Sequence, residues 1–191
     1  MLKWYNKLLE NPTARYWIKE WVEPILVAIV LAIFIRTFFV QAFKIPTGSM
    51  RDTLLEGDRI LVNKLIYRFK EPERGDIIVF RYPLDPSRDF IKRLIAVGGE
   101  TVEIRNYDVY IDGSLLTEPH FIRQNRYYNR NDWPFGKVGQ RIEVPEDHYF
   151  VLGDNSKHSS DSRFWGFVPK EEVRGKAFFI YWPPTRWRII K

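Results

Sequence analysis

Four short stretches concentrate the side chains that bear on chemistry. In Pro46-Thr47-Gly48-Ser49-Met50, proline and glycine set a tight path around Ser49, with the Thr47 hydroxyl two residues earlier. A serine hydroxyl attacks a carbonyl only when a neighbouring base takes its proton. In Phe90-Ile91-Lys92-Arg93-Leu94-Ile95-Ala96-Val97, strand alternation puts Phe90, Lys92, Leu94 and Ala96 on one face and Ile91, Arg93, Ile95 and Val97 on the other. Lys92 thus has only apolar neighbours on its own face. Desolvation lowers the pKa of a lysine. A fall from ~10.4 to roughly 8 raises the neutral fraction near pH 7.5 from about one in a thousand to about a quarter, enough for a general base. The alternative is an ammonium that reaches water while its stem packs. The run from Gly153 to Gly166, GDNSKHSSDSRFWG, is dense in short polar residues directly after apolar Tyr149–Leu152. It reads either as a polar loop or as a hydrogen-bonded scaffold beside a site. Arg74-Gly75-Asp76-Ile77-Ile78-Val79-Phe80 opens a strand and reads as structural.

Composition narrows the chemistry. With no cysteine among the 191 residues, disulfides, zinc ribbons and thiol catalysis are excluded. The three histidines, His120, His148 and His158, lack metal-ligand spacing, so a histidine-rich metal site is not expected and catalysis falls to Ser, Thr, Lys, Asp or Glu. A Ser-His-Asp arrangement using His148 or His158 with Asp154 stays open, because sequence does not say which side chain lies beside Ser49. The 30 Lys and Arg outnumber the 24 Asp and Glu, but they are scattered. That balance suits an anionic surface and offers no basic block for nucleic acid. Seven tryptophans in a chain this small suggest contact with a lipid interface.

The elements that must position these residues fall into two parts. Val22 to Val40 is apolar on every face apart from Glu23 at its start and Arg36 and Thr37 near its end, and Ile25 to Ile35 carries no charged or polar side chain at all. As a helix, these residues would span roughly 28 Å, near the hydrocarbon thickness of a bilayer. Trp17 and Trp21 flank the entry as interfacial anchors would. The spacing predicts a transmembrane helix over residues 21–42. A buried core helix and a cleavable signal peptide ending at Val40-Gln41-Ala42 are the other readings. Lys3, Lys7, Arg15 and Lys19 before the span, against Lys44 and Arg51 after it, put residues 1–20 in the cytoplasm and 43–191 outside. The rest is mainly β. Strands are expected at Arg59–Tyr67, Asp76–Tyr82, Phe90–Val97, Thr101–Ile104, Asp108–Ile111, His148–Leu152 and Lys176–Trp182, rich in Val, Ile, Tyr and Phe between turn residues. Asp112-Gly113 marks a hairpin. Residues from about 101 to 145 form an inserted subregion, and its turn-rich stretch Glu118 to Gly139 reads as an excursion outside the core. The tail from Trp182 to Ile190 cannot be a regular strand. Its Trp182, Arg186, Trp187, Arg188, Ile189 and Ile190 mix amphipathic rings, cations and apolar chains, as a lipid-facing segment would.

PTGSM, RGDIIVF, FIKR and GDNSKHSSDSRFWGFVP, in this order behind an apolar span, make the chain resemble the bacterial type I signal peptidases (leader peptidases) over roughly residues 20 to 182. The resemblance implies a membrane-anchored serine endopeptidase on a mainly β fold with a Ser/Lys dyad and no cofactor. By it, Ser49 is the nucleophile and Lys92 the general base. Thr47 helps the Ser49 amide form the oxyanion hole, and Ser159 orients the lysine. Asp161 and Arg163 are the scaffold pair, and Met50 lies beside the substrate groove. It further implies signal peptides of exported preproteins as substrates, with small residues at the first and third positions before the cleaved bond. The bilayer and the export machinery become expected partners, and the bacterial plasma membrane the expected location. The family commonly has a proline after the lysine strand; Val97-Gly98-Gly99-Glu100 lacks it. Two other readings use the same residues. A self-cleaving repressor shares Ser/Lys chemistry but needs a DNA-reading helical module where residues 1–42 offer an apolar span. A membrane-tethered β adaptor without activity would leave the buried-lysine pattern a coincidence.

Overall fold

A computed structural model describes residues 12–118, 122 and 125–190. The chain divides into two compact units, residues 1–40 and 41–191. In the first, Pro12–Trp17 (α1), a π-helical turn Ile18–Val22 and Glu23–Phe38 (α2) follow one another without a gap. Pro24 sits in the first turn of α2, where its missing N–H has no helical partner to lose, and Glu23 complements the positive end of the helix. From Val22 to Ile35 the side chains are exposed on every side of the helix. The expected helix over 21–42 is corrected at both ends. The π turn, which carries Lys19 and Glu20, interrupts α-helical bonding before Glu23, and α2 stops at Phe38 after 16 residues. Val40–Lys44 is instead a strand (β1), drawn into pairing with Arg59–Asn63 (β2). Among the described residues no helix is long and apolar enough to cross a membrane. Lys3 and Lys7, on which the expected orientation leans, lie outside the described residues, as do His120 and the side chain of Arg15.

The second unit is built on an eight-stranded sheet. Besides β1 and β2 it holds Ile77–Tyr82 (β3), Asp85–Val97 (β4), His148–Leu152 (β9), Val168–Pro169 (β10), Val173–Trp182 (β11) and Arg188–Ile189 (β12). The strand order is β1-β2-β11-β3-β4-β9-β10, with β12 added to β11. The expected strand Arg59–Tyr67 ends at Asn63, whose side-chain oxygen accepts from the N–H groups of Leu65 and Ile66 and starts a short helix, Ile66–Phe69. β4 is longer than expected. It begins at Asp85 because the β3–β4 hairpin keeps pairing beyond the apolar run. Its register with β3 sets Lys92 opposite Ile78 and Phe90 opposite Phe80. The expected alternation holds through Leu94. A bulge in the pairing of β4 with β9 between Leu94 and Ala96 then breaks it, and both Ile95 and Ala96 enter one core cluster.

A second sheet has the order β7-β6-β5-β8, from Thr101–Arg105 (β5), Asp108–Ile111 (β6), Ser114–Leu115 (β7) and Arg141–Glu143 (β8). Its Val102, Ile104, Val109, Ile111 and Ile142 share a cluster with Ile95, Ala96, Phe150 and Leu152 of the large sheet. Leu116, Ile122, Tyr127 and Val144 complete that cluster. The stretch Glu118 to Gly139 is therefore not wholly outside the core; its polar, turn-rich composition hides two apolar plugs. The tail also differs from expectation. Pro183 and Pro184 end β11, a 3-10 turn Pro184–Arg186 follows, and Arg188–Ile189 returns to pair with β11. Ile190 is buried and Arg186 pairs with Asp58 at 2.9 Å, so both turn inward. Trp182, Trp187 and Ile189 remain exposed.

Candidate active site

Ser49 lies in a 3-10 turn, Gly48–Met50, entered from Thr47 in extended conformation. The loop is anchored at both ends. Ile45 exchanges backbone hydrogen bonds with Asp58 and Gly57, and Met50 is fully buried among Ile45, Leu54, Ile60 and Val79. The turn is held over the large sheet, where the Lys92 Nζ donates to the Ser49 Oγ at 2.7 Å. Both side chains are buried, Lys92 at 3% and Ser49 at 7% exposure. Burial pushes the Lys92 amine down to about 8, and the nearby Arg163 cation acts the same way against the opposing pull of Asp161 and Asp154. The Phe90 ring covers the ammonium at 5.4 Å from its centroid.

The polar run after β9 is the frame for this pair. Asn155 donates its backbone N–H to the Ser49 carbonyl at 3.0 Å and its side-chain amide to the Gly48 carbonyl at 2.9 Å. Gly153 has to be glycine here. A Cβ on it would lie 2.1 Å from the Ser159 Oγ and 2.5 Å from the Ser49 carbonyl oxygen. Asp161 accepts from the Gly153 N–H and grips Arg163 through two hydrogen bonds of 2.8 and 2.7 Å, with both side chains fully buried. Asp161 also caps the helix Ser162–Trp165 (residues 162–165) by accepting from the Arg163 N–H. Arg163 spends its remaining donors on Ser156 and the Tyr128 carbonyl, and Trp133 covers its guanidinium at 4.8 Å. The guanidinium of Arg93, next to Lys92 in β4, binds Asp154 at 2.8 and 2.7 Å and the Gly75 carbonyl at 2.7 Å. Thr53 joins that pair through a 2.5 Å bond to Asp154, which ties the Ser49 loop to β4 a second time.

Of the residues expected at the site, Ser49, Lys92, Ser159, Asp161 and Arg163 are buried. Ser159 lies against Gly153, and its hydroxyl has no hydrogen-bond partner among the described residues. Thr47 is exposed at the mouth of the loop. Met50 supports the turn from beneath, with no exposed surface of its own. The histidine alternative finds no geometry. His148 bonds the Glu146 carbonyl at the start of β9, His158 is exposed, and Asp154 is taken by Arg93. Sequence reasoning passed over Arg93, Asn155 and Thr53. The signal for Arg93 was present, since its face of β4 is as apolar as that of Lys92. Asn155 and Thr53 act through contacts that no local pattern encodes.

The model of the family described as signal peptidase, peptidase S26, matches residues 18–182. A signal peptidase I of Aquifex aeolicus is 39% identical over 86% of this chain and 84% of that protein. A probable signal peptidase I-2 of Synechocystis is 39% identical over 97% of this chain and 82% of its own length. A signal peptidase I of Pseudomonas aeruginosa is 33% identical over 95% and 78%. With the family model spanning most of its length and relatives this similar across nearly all of it, the chain belongs to the signal peptidase family, peptidase S26.

Proposed function

We propose that this protein is a membrane-bound endopeptidase that removes N-terminal signal peptides from exported preproteins, with Ser49 as nucleophile and Lys92 as general base. The reading rests on the 2.7 Å hydrogen bond from Lys92 to Ser49 in a buried setting that depresses the amine. Neutral Lys92 takes the Ser49 proton as the Oγ attacks the scissile carbonyl. The tetrahedral oxyanion is met by the Ser49 N–H, which the 3-10 turn leaves unused in its first residues, and by the Thr47 hydroxyl at the mouth of the loop. Lys92 then gives the proton to the leaving amine, the C–N bond breaks, and the acyl group stays on Ser49. A water that loses its proton to Lys92 attacks the ester, Lys92 returns that proton to the departing Ser49 Oγ, and the new C-terminal carboxyl group is freed.

The edge of β4 supports an extended substrate. Pairing of β4 with β9 begins at Arg93 opposite Leu152, so Phe90, Ile91 and Lys92 have β3 on one side and no strand on the other among the described residues. A peptide laid there as an added strand puts alternate side chains on one face. The first and third residues before the cleaved bond then press on the enzyme together, and bulk at either is rejected by steric clash. The apolar side chains exposed on every side from Val22 to Ile35 support an anchor in the bacterial plasma membrane, with residues 1–20 cytoplasmic and the catalytic unit outside, within reach of the export machinery. Exposed Trp182, Trp187 and Ile189 support contact of the catalytic unit with lipid headgroups.

The test is hydrolysis of a preprotein with Ala at both small-residue positions by the full chain in detergent micelles, beside Lys92→Arg and a substrate carrying Phe at the first position. Cleavage at the single expected bond by the parent enzyme alone supports the proposal. Turnover of the Phe substrate, or by Lys92→Arg, overturns it. For the lipid contact, Trp182→Ala with Trp187→Ala should weaken binding of residues 42–191 to anionic vesicles.

A further inference from the structure

Where β8 diverges from β5, the second sheet leaves a cavity of about 390 Å³ between the β5–β6 turn, the segment Tyr127–Asn129 and Val138-Gly139. Its wall is unusual in three respects. The β5–β6 turn places both Asn106 and Tyr107 at positive φ, 50° and 72°. Such a turn favours glycine at its second position, so a tyrosine there is held in a backbone conformation that residues with a side chain rarely adopt. The Tyr107 ring is 42% exposed and packs on Tyr128 at 4.9 Å between centroids. Each of the two rings carries a cation, Arg126 at 4.7 Å over Tyr107 and Lys157 at 4.6 Å over Tyr128. Both cations are exposed, and neither forms a salt bridge among the described residues. Glu103, the carboxylate of the adjoining strand, is already engaged by Arg105 and Arg141.

The cavity is also wired to the nucleophile. Ser156 accepts from the Tyr128 N–H at 2.8 Å, and its neighbour Asn155 holds the Gly48 and Ser49 carbonyls. Lys157 thus belongs to the loop that positions Ser49 and lies on the ring of Tyr128, which lines the cavity. Tyrosine, asparagine and arginine around a concave site are the makings of peptide recognition, and the two exposed cations on its tyrosines, without a carboxylate partner among the described residues, select negative charge. We propose that this tyrosine-walled cavity binds an acidic segment of the substrate polypeptide downstream of the cleaved bond. The inference rests on the protease reading for the identity of its ligand, and it names a second contact on the same substrate. Two exposed ion pairs of about 0.5 kcal/mol each predict a preference of about fivefold.

Two measurements test it. In the first, kcat/KM is compared for preproteins identical up to the cleaved bond and carrying Glu or Gln in the segment that follows. The parent enzyme should prefer the Glu substrate about fivefold at low salt, with the difference in KM. The ratio should fall to about one in Arg126→Gln with Lys157→Gln, and also in Val138→Trp, which fills the cavity from a position 72% exposed. A ratio of one in the parent, or one unchanged in both variants, overturns the proposal. In the second, a fluorescein-labelled acidic peptide with no cleavage site is titrated onto the full chain in micelles and read by anisotropy. Binding that the variants weaken supports the proposal even if no preprotein is cleaved, which separates its failure from that of the protease reading. If the variants lower binding to vesicles of anionic lipid but leave the peptide unaffected, the patch reads lipid and the proposal is wrong.

Discussion

Replacing Lys92 with methionine should make the protein inactive and, at neutral pH, more stable. The side chain is 3% exposed, and its amine is lowered from 10.5 to about 8 chiefly by burial. That interval corresponds to roughly 3 kcal/mol against the charged form. Between pH 8 and 10.5 the unfolded chain binds the proton that the fold rejects, so stability rises with pH across this window. The stability is fully present only above the unfolded value and is lost as pH falls through about 8. Methionine fills the same space without a charge to desolvate. After subtracting about 1 kcal/mol for the lost hydrogen bond to Ser49, Lys92→Met should be roughly 2 kcal/mol more stable than the parent at pH 7. The gain should vanish near pH 10, where the parent lysine is mostly neutral once folded. Urea midpoints followed by tryptophan emission, on the full chain in micelles at pH 7 and 10, read both values. The parent should meanwhile gain about tenfold in kcat/KM from pH 7 to a plateau above 9, following the neutral fraction of an amine of about 8. A stability gain equal at both pH values would refute the desolvation argument. An ascending limb centred near pH 6 would point to a histidine instead.

Ser49→Ala should abolish cleavage while shifting stability by no more than about 1 kcal/mol, since it removes one hydrogen-bonded hydroxyl; a residual rate near that of the parent removes Ser49 from the chemistry. Asp154→Ala leaves the Arg93 guanidinium buried without its carboxylate and should cost about 3–5 kcal/mol in denaturation experiments. A loss below 1 kcal/mol would mean that the pair does not brace the Ser49 loop. Gly153→Ala drives a methyl into Ser159 and the Ser49 carbonyl, so the loop must move. Activity should fall about a hundredfold or more with signal-sequence binding largely kept, a split that single-turnover kinetics can read.

Much of the site was legible in the sequence because its cues are local. A proline-glycine path around Ser49 and a lysine among apolar neighbours at strand spacing need no knowledge of the fold, and the short polar run after Leu152 announces a scaffold. The strands at Asp108–Ile111 and His148–Leu152 follow from alternation between turn residues and lie where expected. What the tertiary structure decided was pairing. Val40 to Ala42 falls inside the span expected to be helical, yet Val40–Lys44 is a strand because the edge of β2 offers it hydrogen bonds that local propensity cannot foresee. Ile95 and Ala96 share a cluster only because a bulge shifts the register against β9. Ile122 and Tyr127 look like loop residues until the second sheet supplies a cavity for them to fill. The partners of Arg93 and the Ser49 loop likewise lie far along the chain: Asp154 for the first, Asn155 for the second. Residue type and spacing state what a side chain can do. Which acid neutralises which base, and which amine loses its water, depend on contacts between segments distant in sequence, and only the folded chain makes those contacts.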